Sequence, residues 1–465
     1  MSATFASFNS ALSALRYNQV LMDTASGNIA NVSTEGYARR RAVGEAMGAS
    51  AVPAMWSRYE GSGDGVRSTG LDRMVDPFLD ARARREHGNL AYLDTRQATL
   101  ERVEAGLGEP GDNGVAAALA DFRQGWHDLA NNPNSDAARG QVLSRAGILA
   151  DTIRVQSTNI ASEESDQRFR LQTDVGEVNT LAADLAATNK SIATATFNGT
   201  DAGTLLDKRD QLALRLSELT GAVATQRADG GFDMSVGGVA LVTGRNAGTF
   251  EIASGVAADG SADGSPVAFS ITTPAGVSTA VPDGMRGQIG ATKDLLNVTL
   301  PAYRAGLGSI AKTLADEMNT QHAAGYDASG TAGGALFTYD PADPAGSIAV
   351  AITDPADVAA SSVGGGVVQG ENATAMANGM SVEDDYQRLV NGFGSEVASV
   401  RRLAANQETL TGQVDASREQ VSGINLDEEM VSMLQAQHAY EAAARVMTTI
   451  DSVLDTLINR TGLVR

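Results

Sequence analysis

Apolar residues spaced seven apart recur at both ends of the chain. Near the start they form two rows, offset from each other by three or four residues: Phe5, Phe8, Leu12, Leu15, Met22 and Ile29. Near the end they form one row, which follows a capping asparagine and three acidic residues: Met433, Tyr440, Met447 and Leu454. Rows of this spacing form the contact stripes of coiled-coil helices. The sequence therefore predicts that segments 1–37 and 421–465 are helices that pair, and that these rows are an assembly interface.

Long helical patterns also fill the segments 85–220 and 286–420, which we interpret as two halves of one helical domain. A proline can open a helix at about 77–107, and a serine can cap another at about 135–196 that contains no proline. The apolar stripes predicted on these helices comprise Leu171, Val178, Leu185, Ile192, Tyr303, Leu307, Ile310, Leu314, Met318, Tyr386, Leu389, Phe393, Val397 and Val400.

Shorter alternating patterns interrupt this helical frame. Residues 221–285 predict a β-rich inserted domain, because short alternating runs are separated there by Gly, Asp and Pro. Residues 38–84 are expected to form an extended or β connector, and residues 325–380 an irregular stretch with one strand candidate, SIAVAIT. The predicted fold is mainly α with an inserted β domain. It is an elongated, multi-domain protein with terminal coiled-coil helices, a long helical bundle and a small β-rich outer domain.

Composition excludes several classes of function. The chain has 465 residues and no cysteine, so disulfides, thiolate metal sites and cysteine nucleophiles are excluded. Its formal net charge of −21 argues against sequence-independent binding to nucleic acid and against binding to an anionic membrane. The first twenty residues lack the basic start and apolar run of a secretory signal. We therefore expect a soluble protein, or one exported without a cleaved signal peptide.

The search for catalytic chemistry finds no candidate site. Four histidines occur, and none lies in an HExxH motif: His87, His127, His322 and His438. Neither a GxSxG elbow nor a phosphate-binding P-loop occurs in the sequence. We predict no catalytic, cofactor-binding or metal-binding residue and no enzyme activity. Scattered carboxylates leave open one less favoured alternative, a secreted enzyme or adhesin carried on a helical stalk.

Four stretches of the sequence resemble known flagellar proteins. GNIANVSTEGYAR at 27–39 resembles the N-terminal signature of bacterial flagellar axial proteins, which are the rod, hook and hook-associated proteins. Three further stretches are similar, in matching chain order, to the flagellar hook-associated protein 1 family: LLDKRDQL at 205–212, MNTQHAAGYDASG at 318–330, and residues 421–459. The signature alone also fits another axial protein, hook-like or flagellin-like, whereas the ordered set favours the hook-associated family.

The resemblance implies a structural component of the bacterial flagellum, which forms the junction ring between hook and filament by self-assembly through its terminal helices. The implied partners are further copies of the chain, the hook protein, the second junction protein (hook-associated protein 3) and an export chaperone at the C-terminal helix. The implied location is extracellular, after type III export, with no cofactor, no nucleic acid and no membrane insertion.

The family signature turn comprises Asn28, Asn31, Thr34, Gly36, Tyr37 and Arg39. Asn28 and Asn31 are expected to tolerate the backbone conformations that end a helix, and Gly36 can take a positive φ without penalty. Tyr37 is expected to turn inward and cover the end of the coil. The basic run at 38–41 would ordinarily be interpreted as a solvated surface.

Overall fold

The computed structural model describes residues 2–47 and 65–456, and for residues 2–6 it describes the backbone alone. The predicted seam residue Phe5 therefore has no described side chain, and the middle part of the predicted 38–84 connector, residues 48–64, lies outside the described residues. The rest of that connector holds two strands and the start of a helix.

The described chain alternates helices with small antiparallel sheets. Its α-helices are α1 (Ser2–Ala30), α2 (Pro77–Leu107), α3 (Val115–Asn131), α4 (Asp136–Asn198), α5 (Gly203–Thr220), α6 (Gly287–Asp294), α7 (Leu300–Ala323), α8 (Pro344–Ser347), α9 (Glu371–Asn378), α10 (Val382–Ser422) and α11 (Leu426–Asp455). Its strands are β1 (Arg40–Met47), β2 (Gly65–Arg73), β3 (Val223–Gln226), β4 (Phe232–Val236), β5 (Val239–Thr243), β6 (Asn246–Ala247), β7 (Thr249–Ser254), β8 (Ala268–Thr272), β9 (Ser278–Ala280), β10 (Phe337–Thr338) and β11 (Ala349–Val350).

Local capping sets the ends of the two longest early helices. The Asp76 side chain accepts hydrogen bonds at the start of α2, and α2 ends at Gly108, whose φ is 66°. Ser135 caps α4 by accepting from Ala138 N at 3.2 Å, and α4 ends at Gly199 with φ 67°. At 63 residues, α4 spans about 95 Å at the rise of an α-helix. The helices predicted at 77–107 and 135–196 are confirmed.

The helical bundle is built around α4, which packs against α3, α5 and α7, while α2 packs along α10. The predicted stripes on α4 and α7 are buried throughout, and those on α10 are buried except for Leu389, which packs half-buried against the core. The mainly α fold with an inserted β region is confirmed. Burial of these stripes is the main force that holds a helix as long as α4 in place.

The inserted strands form a four-stranded antiparallel sheet, β3-β4-β5-β6, and a three-stranded one, β7-β8-β9. Both sheets are docked by amide side chains of α4. Asn189 bonds the backbone of Phe232 in both directions, at 2.8 and 3.0 Å, and Asn179 bonds Phe250 likewise, at 2.9 and 2.7 Å. The Phe250 and Phe269 rings stack at 5.1 Å and belong to the same hydrophobic cluster as α4. The insert therefore shares its core with the helical bundle.

Residues 325–380 fold against α7 with little regular structure. The strand predicted from SIAVAIT is reduced to the two residues of β11, which pair with β10. His322 of α7 is fully buried and fixes two loops, since Nδ1 donates to Gly334 O at 2.7 Å and Nε2 accepts from Ala359 N at 2.9 Å. Burial lowers the pKa of His322, so the neutral ring is the form that holds these loops.

Candidate functional site at the signature turn

The chain reverses direction directly after α1. The Asn31 side chain donates to Gly27 O at 2.8 Å, and Thr34 donates to Asn31 Oδ1 at 3.2 Å, so the first part of the turn is closed by its own polar groups. Gly36 adopts a φ of 74°, in the left-handed region where side chains are strained. A Cβ at this position would also overlap the Gln211 side chain of α5. The turn is therefore pressed against the helical bundle.

Asn28 holds the turn to both neighbouring elements. It is only 1% exposed, and its Nδ2 donates to Arg40 O at 2.9 Å and to Glu429 Oε2 at 3.0 Å. Its Oδ1 accepts from Arg40 N and from the Tyr37 hydroxyl, each at 3.0 Å. These four bonds satisfy the amide completely. The expectation that Asn28 helps to end the helix is wrong, because it lies within α1 and uses its side chain to bind β1 and α11.

Tyr37 turns inward over the same group of residues. Its hydroxyl reaches Asn28, and its ring lies 5.1 Å from the guanidinium carbon of Arg40, a cation–π contact. Burial raises the pKa of Tyr37, so the phenol stays protonated as a donor. The tyrosine thus covers the end of α1 and shields the hydrogen bonds of Asn28 from water.

Arg39 ties the turn to the start of α11. Its backbone N–H donates to Ser422 O at 3.0 Å, and its side chain donates to Glu429 Oε1 at 2.7 Å and to Glu428 Oε2 at 3.1 Å. Glu429 is 3% exposed and shared between Arg39 and Asn28. Because Asn425 caps α11 one turn earlier, the direction in which α11 leaves the bundle is fixed at this point.

Arg40 and Arg73 tie the turn to α5. Arg40 donates to Asp207 at 3.1 Å, while Arg73 bonds Asp207 at 2.7 Å and Asp210 at 2.8 Å. Burial alone would lower the pKa of Arg73, but Asp210 and Asp207 outweigh it and raise that pKa. The expectation of a solvated basic run at 38–41 is wrong for its middle two residues, because carboxylates from distant segments pair with them.

Together these residues form what we call the signature network: Asn28, Tyr37, Arg39, Arg40, Arg73, Asp207, Asp210 and Glu429. It joins the motifs at 27–39, 205–212 and 421–459, which lie far apart in the sequence. Of these residues, Asn28, Tyr37 and Arg39 were singled out by the signature; the other five were not, although three of them lie within quoted motifs. The network couples the terminal helices to the bundle mechanically.

The terminal helices α1 and α11 pack along each other. The buried apolar side chains of these two helices are small, namely Ala11, Ala25 and Ala436. The described residues of the predicted rows are half-buried, apart from Tyr440, which is 37% exposed. Small side chains that the sequence did not emphasise are therefore more buried on α1 and α11 than the predicted rows. On another side, α1 rests on the β1–β2 hairpin.

The outer side of α11 remains apolar and open to solvent. The large hydrophobic residues of α11 that are more than a third exposed are Leu426, Met430, Val431, Leu434, Tyr440, Val446 and Val453. No α-helix in residues 2–47 or 65–456 is long and apolar enough to cross a membrane. Within those same ranges, no group of three His, Asp or Glu side chains is arranged to hold a metal ion.

Family models match the chain in three places. The flagellar hook-associated protein FlgK helical domain matches residues 100–337, the flagella basal body rod protein matches residues 8–37, and the flagellar basal body rod FlgEFG protein C-terminal matches residues 418–460. The first match covers the end of α2, helices α3 to α7 and the insert. The other two cover α1 with its turn, and α11.

Curated relatives and a solved structure agree with these matches. Flagellar hook-associated protein 1 of Bacillus subtilis (strain 168) is 30% identical, over 100% of this chain and 99% of its own length. The protein of that name from Escherichia coli (strain K12) is 24% identical, over 97% and 99%. The flagellar hook junction protein FlgK from Burkholderia pseudomallei superposes with a TM-score of 0.64 at 16% identity, over 74% of this chain and 100% of that chain, and so shares the fold. The chain belongs to the flagellar hook-associated protein 1 (FlgK) family.

Proposed function

We propose that this structural protein of the flagellar hook-associated junction assembles through α1 and α11 into the ring that joins hook to filament. The single observation that supports assembly most is the open apolar side of α11, where Leu426, Met430 and Leu434 follow one another at four-residue spacing, each about half exposed. Contiguous apolar surface of this kind marks an interaction site in soluble proteins. Covering each side chain would contribute about 1 kcal/mol.

The signature network supports the same proposal by setting the angle of the terminal helices. Arg39, Asn28 and Glu429 make short, largely buried contacts that leave α11 little freedom to swing relative to the bundle. A ring of identical subunits requires each terminal helix to project in the same direction. A rigid connection at this point keeps the assembly surface pre-oriented, which lowers the entropy cost of association.

The partners follow from family membership and the resemblance of the motifs. We propose that the ring contacts hook protein on one side and hook-associated protein 3 on the other, and that an export chaperone covers α11 before assembly. The open apolar side of α11 supports a chaperone there, because such a surface would otherwise aggregate. We further propose extracellular placement after type III export without a cleaved signal peptide, and a role without catalysis or cofactor.

The test uses flagellated cells that lack their own hook-associated protein 1. The wild-type chain, Leu434→Asp and Gln435→Asp are each expressed in these cells, and cells with attached filaments are counted. Both variants add one negative charge to an exposed position of α11, but only Leu434 belongs to the row formed with Leu426 and Met430. We expect attached filaments with the wild type and Gln435→Asp, and free flagellin in the medium with Leu434→Asp. Normal filaments with Leu434→Asp would contradict assembly through this side of α11.

A further inference from the structure

A cleft of about 850 Å³ lies beside the signature network and shares the side chain of Arg73 with it. Its walls come from β2, the first turns of α2, the loop before α5, and strands β3 and β4. The lining residues that matter here are Phe78, Arg84, Leu206, Arg209 and Phe232. The cleft therefore lies where the hairpin, the bundle and the inserted domain meet.

Arg84 is the unusual residue in this cleft. It is 8% exposed, yet within the described part of the chain its guanidinium makes neither a hydrogen bond nor an ion pair, and its one close polar contact is with the face of Phe232, at 5.0 Å. Arg209 stacks on the same ring at 3.8 Å but is also paired with Asp210. Burial lowers the pKa of Arg84 in spite of the carboxylates of Asp210 and Asp80. The cleft thus holds a buried cation that lacks an anionic partner.

The mouth of the cleft is apolar and exposed. Phe78 lines it and is 87% exposed, and Pro77, Ala81 and Leu206 line the cleft beside it. An exposed phenylalanine beside an unpaired arginine favours a segment that carries a carboxylate next to aliphatic side chains.

The start of α11 has this chemistry. Leu426, Met430 and Leu434 form an exposed aliphatic stripe at i, i+4 and i+8. Asp427 lies beside the stripe, is exposed, and contacts the Asn425 cap only through its backbone N–H. Its carboxylate makes no ion pair within the described residues.

The cleft lining also holds the carboxylates of Asp72, Asp80 and Asp201, so what it offers a partner is the one arginine without an ion pair in the described part of the chain, Arg84, beside the exposed Phe78. One chain therefore carries both an unfilled cleft with an unpaired arginine and an unfilled aliphatic stripe with a free carboxylate.

We propose that this cleft binds the first two turns of α11 from a second copy of the chain, with Asp427 of that copy paired to Arg84. The inference rests on the proposed function, and it names a specific contact within the ring. Because cleft and stripe are different surfaces, their pairing is heterologous and propagates from subunit to subunit, as a ring requires. It also sets a local attraction against the repulsion between subunits that each carry a net charge of −21.

Photo-crosslinking in assembled flagella tests the contact directly. A benzophenone amino acid replaces Phe78 in one strain and Phe169, an aromatic residue of α4 that is 51% exposed and outside the cleft lining, in a control strain. We expect the probe at Phe78 to give a covalent dimer of this chain whose linked peptide contains residues 426–434, and the control to give none. A link from Phe78 to a different protein, or no link in cells that carry normal filaments, would overturn the proposal. Absence of filaments with the wild-type chain would instead contradict the proposed function.

A charge swap tests the pairing of side chains. Arg84→Glu and Asp427→Arg are each expected to reduce the fraction of cells with filaments at least about tenfold, and the double variant to recover most of it. Arg82→Glu makes the same charge change on an exposed position of α2 and should leave filaments unchanged. Each protein is checked by thermal unfolding. If Arg84→Glu does not fold, Phe78→Ser is used in its place, because the Phe78 side chain is almost fully exposed and folding does not depend on it. Loss of this side chain from the cleft should still reduce the fraction of cells with attached filaments. The pairing would be overturned if a folded cleft variant attached filaments as often as the wild type does. It would also be overturned if the double variant attached no more filaments than the single variants.

Discussion

Replacing Asn28 with alanine should loosen the terminal helices without unfolding the bundle. The change leaves the backbone N–H and C=O of Arg40 without hydrogen-bond partners, together with one carboxylate oxygen of Glu429 and the Tyr37 hydroxyl. A buried polar group left without its partner costs about 1–3 kcal/mol. Glu429 keeps its ion pair with Arg39, and Tyr37 is only half-buried, so neither adds much to the loss of stability. The two unpaired backbone groups of Arg40 therefore account for most of it, and the expected loss of stability at this contact is about 3 kcal/mol.

Hydrogen exchange measured by mass spectrometry on the free protein is the suitable assay. A loss of about 3 kcal/mol corresponds to a drop of about a hundredfold in protection of the amides of α1 and the first turns of α11, with α4 unchanged. Asn31→Ala is the matched control, since Asn31 bonds only within its own turn and should cost about 1 kcal/mol or less. Equal effects of the two variants, or loss of protection in α4, would refute the account of the signature network.

Further predictions concern pH and two other positions. Burial holds the pKa of His322 in the folded protein below its unfolded value near 6.5. The contribution of this residue to folding stability is therefore complete above about pH 6.5 and is lost as pH falls toward the folded pKa. Thermal unfolding should show a smaller loss of stability on acidification for His322→Gln than for the wild type. His87 has the opposite sign, because the carboxylates of Glu218, 3.6 Å away, and Asp415, 2.9 Å away, raise its folded pKa. Its contribution is complete below about pH 6.5 and is lost as pH rises through that raised pKa, a dependence that His87→Gln should remove. Gly36→Ala should cost about 1–2 kcal/mol through its positive φ. Asp207→Asn should cost about 2 kcal/mol, because Arg40 then keeps only its 3.6 Å contact with Asp201 and Arg73 keeps only Asp210. Both costs are measured by urea unfolding.

Features encoded by nearby residues could be predicted from the sequence. The start of α2 and both ends of α4 follow from caps and glycines within a few residues of each end. The buried stripes on α4, α7 and α10 follow from helical spacing alone, since no competing pattern runs through them. The positive φ of Gly36 follows from its place after a helix in a short turn.

The convergence of distant polar residues could not be predicted in this way. The bond between Asn28 and Glu429 joins residues 401 apart, and the bond between Arg40 and Asp207 joins residues 167 apart. Local periodicity carries no information on such contacts, so Arg40 resembled a solvated surface residue. The burial of Ala436 on α11 was missed for a different reason: alanine gives a weak apolar signal in a sequence, and its burial appears only when the neighbouring elements are in place.

The central claim is that the outer side of α11 becomes an interface on assembly, and thiol labelling measures this most directly. The chain contains no cysteine, so Leu434→Cys introduces its only thiol. Leu434 is 51% exposed in the single chain, and a maleimide should therefore label the cysteine rapidly in the free protein. In isolated flagella we predict strong protection of this cysteine from the maleimide. Gln124→Cys, at an exposed position on α3, is the reference: its labelling in the free protein gives the rate expected of an exposed thiol. Equal labelling of Leu434→Cys in free protein and in flagella would contradict assembly through α11.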